Sequence, residues 1–173
     1  MMTRLSRISI FCAGMLLAAL SVSSCGIYSF TGTSIQPDVK TVTIDFFENK
    51  ALKVNPTLSN DLTEAVKAQF KRMTSLEQVD ENGDLEIEGA ITNYSVSTSS
   101  VSSNELASQN RLTIAVSITF TNRKYPEDDF EKSFSQYSDY DAEKTLESVE
   151  NELCQEIIKL LVDEIFNATV ANW

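Results

Sequence analysis

The sequence contains no histidine and only three cysteines among its 173 residues. The lack of histidine removes the commonest general base, the usual catalytic triads and most transition-metal sites. No phosphate-binding loop, dinucleotide-binding glycine motif or nucleophile elbow is present either. Carboxylate-only chemistry stays open on these grounds, but no catalytic constellation stands out. We therefore expect neither enzymatic activity nor a cofactor.

Basic residues are also scarce: 14 lysines and arginines stand against 25 acidic residues, for a net charge of −11. Nucleic-acid binding needs clustered Lys and Arg to neutralise phosphates, so this balance argues against a nucleic-acid partner. It argues equally against electrostatic attachment to an anionic membrane surface. Any membrane attachment must therefore have another source.

The N-terminal segment offers such a source. Two arginines precede the apolar run 8–20, which has the length of a signal-peptide core and is too short to span a bilayer. Small residues then lead directly to Cys25, as in a bacterial lipoprotein signal, where the cysteine is acylated after cleavage. We expect residues 1–24 to be a lipoprotein signal peptide and Cys25 to carry acyl chains. The alternatives are a cleaved signal with an accidental cysteine or a short buried apolar helix.

Removal of the signal simplifies the cysteine chemistry. Cys12 leaves with the signal and Cys25 is used for lipid, so no internal disulfide can form with Cys154. Cys154 lies within an apolar helical stripe, which favours a small core residue over a reactive thiol. The signal also takes two of the 14 basic residues, so 12 remain against 25 acidic residues and the net charge becomes −13.

Apolar periodicity predicts the order strand, helix, three strands, helix for the domain 38–173. Residues 25–37, rich in Ser, Thr and Gly, form a lipidated tether. The polar run 95–110 is either a hairpin tip or two extended strand ends. The predicted elements are a strand around 42–46, a helix over about 56–72, a strand after Gly83-Asp84, a strand over 112–120, a strand over about 129–137 and a helix from Asp141 to about 168.

This order predicts an α+β fold, a two-layer sandwich in which a four-stranded, mostly antiparallel mixed sheet packs both helices on one face. The first strand reaches the second through a helical crossover, which allows a parallel pair. The three later strands follow each other closely, which favours antiparallel pairing. The uncovered sheet face should then present polar side chains, namely Glu86, Glu88, Thr113, Ser117 and Thr119.

Acidic segments are the remaining candidates for metal binding or acid–base chemistry. Residues 80–84 resemble the start of a calcium loop, but the glycine precedes Asp84, whereas the motif needs a glycine after it. Ile91 stands where the loop requires a bidentate glutamate. The clusters at 127–129 and 139–141 fit surface solvation or helix capping better than catalysis. We expect no metal site here.

Four basic residues near the 112–120 strand are candidate contacts for the phosphates or sugar acids of a glycolipid. Arg111, Arg123 and Lys124 lie at the two ends of this strand, and Lys132 lies on the neighbouring strand. The alternative is that they are ordinary surface charges that pair with the acidic excess.

Several short motifs, taken in order, resemble one family. They are the cysteine followed by Gly-Ile-Tyr-Ser-Phe-Thr-Gly at 26–32, Lys-Thr-Val-Thr-Ile at 40–44, Val-Asn-Pro-Thr-Leu-Ser at 54–59, Gly-Asp-Leu at 83–85, Asn-Arg-Leu-Thr-Ile at 110–114 and Ala-Asn-Trp at 171–173. The combination resembles the LptE family of outer-membrane lipoproteins, in the form found in Bacteroidetes.

The resemblance implies two helices against a four-stranded sheet and a role in the lipopolysaccharide translocon. An LptE protein is a plug inside the β-barrel protein LptD, assists assembly of the barrel and helps deliver lipopolysaccharide to the outer leaflet. Only the acylated cysteine carries over residue by residue, onto Cys25. The implied partners are an LptD-like barrel, weakly bound lipopolysaccharide, and the membrane through the acyl chains.

The residue after the cysteine bears on location. Gly26 lacks the aspartate that would indicate retention in the inner membrane, so we expect the periplasmic side of the outer membrane. A second hypothesis comes from the residues themselves. In it, the chain is a stand-alone periplasmic lipoprotein module that binds a lipid or glycan against its open sheet face.

Overall fold

The computed structural model describes residues 35–53, 55–99 and 109–171. Within these ranges, six strands, two α-helices and one 3-10 turn follow each other. They are β1 (Thr41–Ile44), β2 (Glu48–Asn49), α1 (Leu58–Met73), β3 (Glu77–Gln78), β4 (Leu85–Ser99), β5 (Gln109–Asn122), the turn Pro126–Asp128, β6 (Phe130–Asp141) and α2 (Leu146–Val170).

All six strands belong to one mixed sheet with the order β3-β1-β4-β5-β6, and β2 pairs with β4 beyond the end of β1. The first strand β1 is parallel to β4, with Val42 opposite Leu85, and α1 lies in the crossover between them. Strands β4, β5 and β6 are antiparallel neighbours. The predicted α+β class, the parallel crossover and the antiparallel pairing are confirmed.

Three details differ from the prediction. The sheet has six strands and not four, because β2 and β3 are each two residues long and too short to show a period of two. The helix α2 starts at Leu146 and not at Asp141, since β6 continues to Asp141 and a turn follows. In that turn the Asp141 side chain accepts a hydrogen bond from the backbone N–H of Glu143. Of the 95–110 run, the described ends belong to β4 and β5, while 100–108 lie outside the described residues.

The core lies between one face of the sheet and both helices. Five side chains of β5 point into it at a period of two and are buried: Leu112, Ile114, Val116, Ile118 and Phe120. The rings of Phe70 in α1 and Phe166 in α2 meet edge to face, with 5.2 Å between centroids. Cys154 is buried here too, and burial raises the pKa of its thiol to about 11. The expectation that it is a core residue is confirmed.

Local polar contacts fix where the helices and strands begin. The Asn55 side-chain oxygen accepts hydrogen bonds from the backbone N–H groups of Thr57 and Leu58, just before α1. An Asn followed by a proline is a typical start of a helix. Thr63 in α1 accepts a hydrogen bond from the backbone N–H of Phe47, at 3.0 Å. This bond ties the irregular segment between β1 and β2 to the helix that covers it.

The buried ring of Phe47 covers Gly89 in β4. A Cβ atom at residue 89 would lie 2.3 Å from a ring carbon, far inside van der Waals contact. The glycine is therefore required because the ring occupies the space where a side chain would stand. Its neighbours on the same face, Ile87 and Ile91, are completely buried.

We predict that Gly89→Ala lowers the free energy of unfolding by about 1–3 kcal/mol, the usual cost of an extra methyl group in a packed core. Chemical denaturation measures this change. A Ser117→Ala variant on the uncovered face is the control and should change stability by less than about 0.5 kcal/mol. The cost of Gly89→Ala should shrink in a Phe47→Ala background, because the two sites share one volume. An unchanged cost in that background would contradict the packing described here.

Candidate functional site

The sheet face turned away from the helices is the candidate functional site, and we call it the open face. It consists of alternate side chains of the three long strands, which the pairing register places side by side. They are Glu86, Glu88, Ala90, Asn93, Ser95 and Ser97 of β4, Arg111, Thr113, Ala115, Ser117, Thr119 and Thr121 of β5, and Glu131, Ser133, Ser135, Tyr137 and Asp139 of β6. The five side chains predicted for this face all lie on it.

A β-bulge keeps this face polar along the whole of β4. The register shifts between Ile91 and Asn93, so Thr92 is an extra residue in β4. Because of the shift, Tyr94 points into the core after Ile91, while Asn93 joins the open face. Hydroxyl and small side chains therefore continue unbroken across the middle of the three strands.

One end of the open face is acidic. Oxygen atoms of Asp45, Glu86 and Glu88 lie within 4.8 Å of one another. A shallow cavity of about 500 Å³ is lined by Asp45, Glu88 and the half-exposed Phe46, among others. Carboxylate oxygens are the usual ligands of hard cations. Glu86, however, is already neutralised by Arg123, at 2.6 Å. One of the three carboxylates is therefore already paired, and the cluster by itself defines no metal site.

The opposite end of the open face holds an aromatic and a charged pair. Arg111 donates two hydrogen bonds to Asp139, at 2.7 and 2.8 Å, across the β5–β6 pair. Its guanidinium also lies 3.6 Å from the ring centroid of Tyr137, which is 50% exposed. The hydrogen bonds from Arg111 hold the pKa of the Asp139 carboxyl below its usual value. This pair is fixed in place and partly open to a ligand or partner.

Two other predicted cations serve the turn that leads into β4. Arg123 donates hydrogen bonds to Glu86 and to the side chain of Asn82. Lys124 forms an ion pair with Asp84 at 3.3 Å and also donates to the backbone carbonyl of Asp38. In this way both side chains fasten the 80–84 turn to the strands beside it.

The four candidate glycolipid contacts do not form one cluster. Arg111 and Arg123 are twelve residues apart along β5 and its end, roughly 40 Å at the rise of an extended strand. Lys132 lies on the helix side of β6, with its ammonium group 5.1 Å from the ring centroid of Phe134. Three of the four pair with carboxylates, and of the four only Arg111 has its charge on the open face beside an exposed ring.

Some site residues were missed at the sequence level. Tyr137 and Asp139 join Arg111 only because the β5–β6 register places them opposite Thr113 and Arg111. A longer assignment of β6, to 141 and not 137, would have indicated this pairing. Cys25 lies outside the described residues, and its acylation stays a prediction. None of the helices in the described ranges is long and apolar enough to span a bilayer.

Comparison with known families now gives the class of protein. A family model described as lipopolysaccharide-assembly, LptE, matches residues 39–169, which is most of the chain and nearly all of the described domain. The chain therefore belongs to the LptE family, a family of non-enzymatic lipoproteins that takes part in lipopolysaccharide assembly.

Solved structures provide further likenesses. A minor lipoprotein from Acinetobacter baumannii is 14% identical with a TM-score of 0.48, over 73% of this chain and 89% of that one. The rare lipoprotein B from Shewanella oneidensis is 13% identical with a TM-score of 0.42, over 70% of this chain and 89% of that one. A search of curated proteins gave no match.

The ion pair at Asp84 generates a prediction on pH. Its carboxylate accepts hydrogen bonds from the backbone N–H groups of Lys40 and Thr41, which, with Lys124, hold its pKa below the usual 3.8. A lowered native pKa stabilises the fold above the unfolded-state pKa, and this contribution is lost as pH falls through the native pKa. Asp84→Asn should therefore lower the Tm at pH 7, and its deficit should shrink below about pH 3.8.

Thermal unfolding of the wild type and variant at pH 7 and pH 3 measures this effect. Asp80→Asn, on the exposed part of the same turn, is the matched control and should leave Tm nearly unchanged at both pH values. A deficit that is equally large at both pH values would show that Asp84 acts through shape and not through its charge.

Proposed function

We propose that this chain is a plug and assembly subunit of an LptD-like β-barrel that carries lipopolysaccharide to the outer leaflet. The domain is held on the periplasmic side of the outer membrane by acyl chains on Cys25. In this role the chain performs no chemistry. It occupies the barrel lumen and stabilises the barrel, and its contact with the glycolipid is weak.

The observation that carries the proposal is the open face. The interior of a large β-barrel is polar, so a plug must present a polar surface to the wall. Strand β5 is 14 residues long, or about 45 Å, which exceeds the ~25 Å apolar band of an outer-membrane barrel. The middle of the open face carries hydroxyl and small side chains without a charge, for example Ser95, Thr113 and Ser117. A polar surface of this length can contact the polar wall of the lumen over the full height of the barrel's apolar band.

The packing of the core supports a polar mode of docking. Both helices bury their apolar stripes against the other face of the sheet, so no apolar stripe is left for a partner among the described residues. Large exposed apolar side chains are scattered there and not gathered into a patch. Two of them, Phe46 and Tyr137, border the open face and are suited to act as aromatic anchors in a largely polar interface.

The charge of the chain favours a plug over a carrier. A net charge of −13 for residues 25–173 opposes tight binding of an anionic glycolipid, which carries phosphates and sugar acids. Arg111 is the candidate contact best placed to touch the glycolipid, since its guanidinium lies on the open face. Its pairing with Asp139 reduces the positive charge it offers to a phosphate. The contact is accordingly a weak one.

Affinity purification after detergent extraction tests the partnership directly. The wild-type chain with a C-terminal tag should bring down a β-barrel protein in near-equal amount from membranes of the cells that produce it. A stand-alone binding module is the second candidate, and the exposed Tyr137 ring beside Arg111 favours it, since aromatic and polar side chains often line ligand sites. Recovery of the chain without a barrel protein would support this second candidate and reject the first.

Substitutions on the open face should weaken the complex selectively. Ser117→Arg places a long charged side chain in the centre of the face and should lower the recovered barrel protein at least several-fold. Gln155→Arg makes a similar change on the exposed side of α2, away from the sheet, and is the control. Both variants should unfold at nearly the wild-type temperature, because both positions can direct a long side chain into solvent. Equal loss of the barrel in both variants would contradict docking through the open face.

The lipid anchor can be tested separately with an alkyne-labelled fatty acid fed to the producing cells. We expect the wild-type chain and a Cys154→Ser variant to become labelled, because Cys154 is buried and uncharged at neutral pH. Cys25→Ser should show no label, since acylation needs the thiol. Label on the Cys25→Ser variant would refute the assigned anchor.

A further inference from the structure

The sheet has two long free edges, and they are built differently. One edge is β6, whose 12 residues include four charged side chains, Glu131, Lys132, Asp139 and Asp141. Lys132 belongs to the covered face, so it is an inward-pointing charge on an edge strand. Charged residues on edge strands, inward-pointing ones above all, are a common protection against pairing with another strand. The β6 edge is therefore guarded.

The other free edge is the second half of β4. Strands β1 and β2 pair with β4 only as far as Ile91, and beyond it no described residue donates or accepts a backbone hydrogen bond on that side of the strand. The free stretch is Thr92–Ser99, eight residues without a charge, a proline or a glycine, and we call it the bare edge. Five of its eight residues are Ser or Thr on exposed or half-buried positions. Nothing in it prevents addition of a strand.

The register identifies which backbone groups are free. The carbonyl of Ile91 accepts a hydrogen bond from Lys50 on the outer side, so Ile91 and its partner Val116 are a pair without hydrogen bonds between β4 and β5. Such pairs alternate along an antiparallel ladder. The next pairs of this type are those of Tyr94, Val96 and Thr98 with Ile114, Leu112 and Asn110. Tyr94, Val96 and Thr98 therefore direct both backbone groups outward.

We propose that the bare edge pairs, strand to strand, with an extended uncharged segment of the β-barrel partner that lies in the lumen. This inference rests on the proposed function. The bare edge shares Asn93, Ser95 and Ser97 with the open face, so a partner seated on that face reaches the edge without a gap. Main-chain pairing supplies affinity in this mode, and the side chains supply selectivity.

The segment comes from a loop or terminal arm of the partner and not from a barrel strand. Every backbone group of a closed barrel strand is already paired with its neighbours. A second copy of this chain is a poor occupant, because two domains of net charge −13 repel each other. An uncharged extended segment meets no such repulsion at an edge that itself carries no charge.

Hydrogen exchange of backbone amides tests the proposal in the intact complex and in the free chain. In the free chain, the amides of Tyr94, Val96 and Thr98 should exchange fast, while those of Ser95 and Ser97 are protected by β5. In the purified complex the exchange rates of the Tyr94, Val96 and Thr98 amides should fall at least tenfold. A complex that forms while these three amides still exchange fast overturns the inference and leaves the proposed function standing. Absence of any complex rejects both.

A proline substitution provides the second measurement. Thr98→Pro removes an outward N–H without touching the β4–β5 ladder, and should weaken recovery of the barrel roughly three- to tenfold, as loss of one or two hydrogen bonds implies. Gln78→Pro removes an outward N–H from the short edge strand β3, where the Gln78 side chain contacts α1 and not the open face, so it is the matched control and should leave recovery unchanged. Equal recovery of the barrel with both variants overturns the inference. Protection of the bare edge that rises with the concentration of the free chain also overturns it.

Discussion

The burial of one face of the antiparallel β4–β5–β6 sheet under two helices is the constraint on which the rest of the molecule depends. Five apolar side chains of β5 enter this layer at a strict period of two, so every residue between them must face the other way. The polar character of the open face follows directly from this alternation. The bulge at Thr92 preserves it where the two ends of β4 would otherwise fall out of phase.

The period of the apolar residues explains how much of the fold could be predicted from the sequence. Long, regular elements such as β5 and both helices were predicted in type and order, since tertiary packing there agrees with the local pattern. The two-residue strands β2 and β3 were missed because their pairing depends on β1 and β4 and leaves no repeat of its own. The end of β6 was missed for a related reason: Ser138 interrupts the apolar alternation with a buried hydroxyl that donates to Glu156.

The candidate site was less accessible than the fold. Sequence reasoning found the cations near β5, but only the strand register shows that Arg111 faces Asp139 and Tyr137, and that Lys132 lies on the covered side. Charge pairing across strands depends on their register. A slip of one residue would turn each side chain to the other face of the sheet and break these pairs. The acidic excess favoured such pairing in general without specifying any pair. Of the four candidate contacts, Arg111 is the one that the register places beside an exposed aromatic ring on the open face.

These features together suit the role we propose, in which the domain fills a channel for an anionic glycolipid without holding the glycolipid. Acidic residues neutralise most of the candidate cations, so lipopolysaccharide would find little positive charge to bind on the open face. A plug that bound its cargo tightly would block the pathway, because release would then limit transport. In the complex we propose, polar side chains and backbone edges instead offer contacts to the barrel, whose polar wall can satisfy them. The same negative charge that opposes binding of an anionic glycolipid also opposes association between copies of the domain, and so leaves the bare edge of β4 free for the proposed barrel partner.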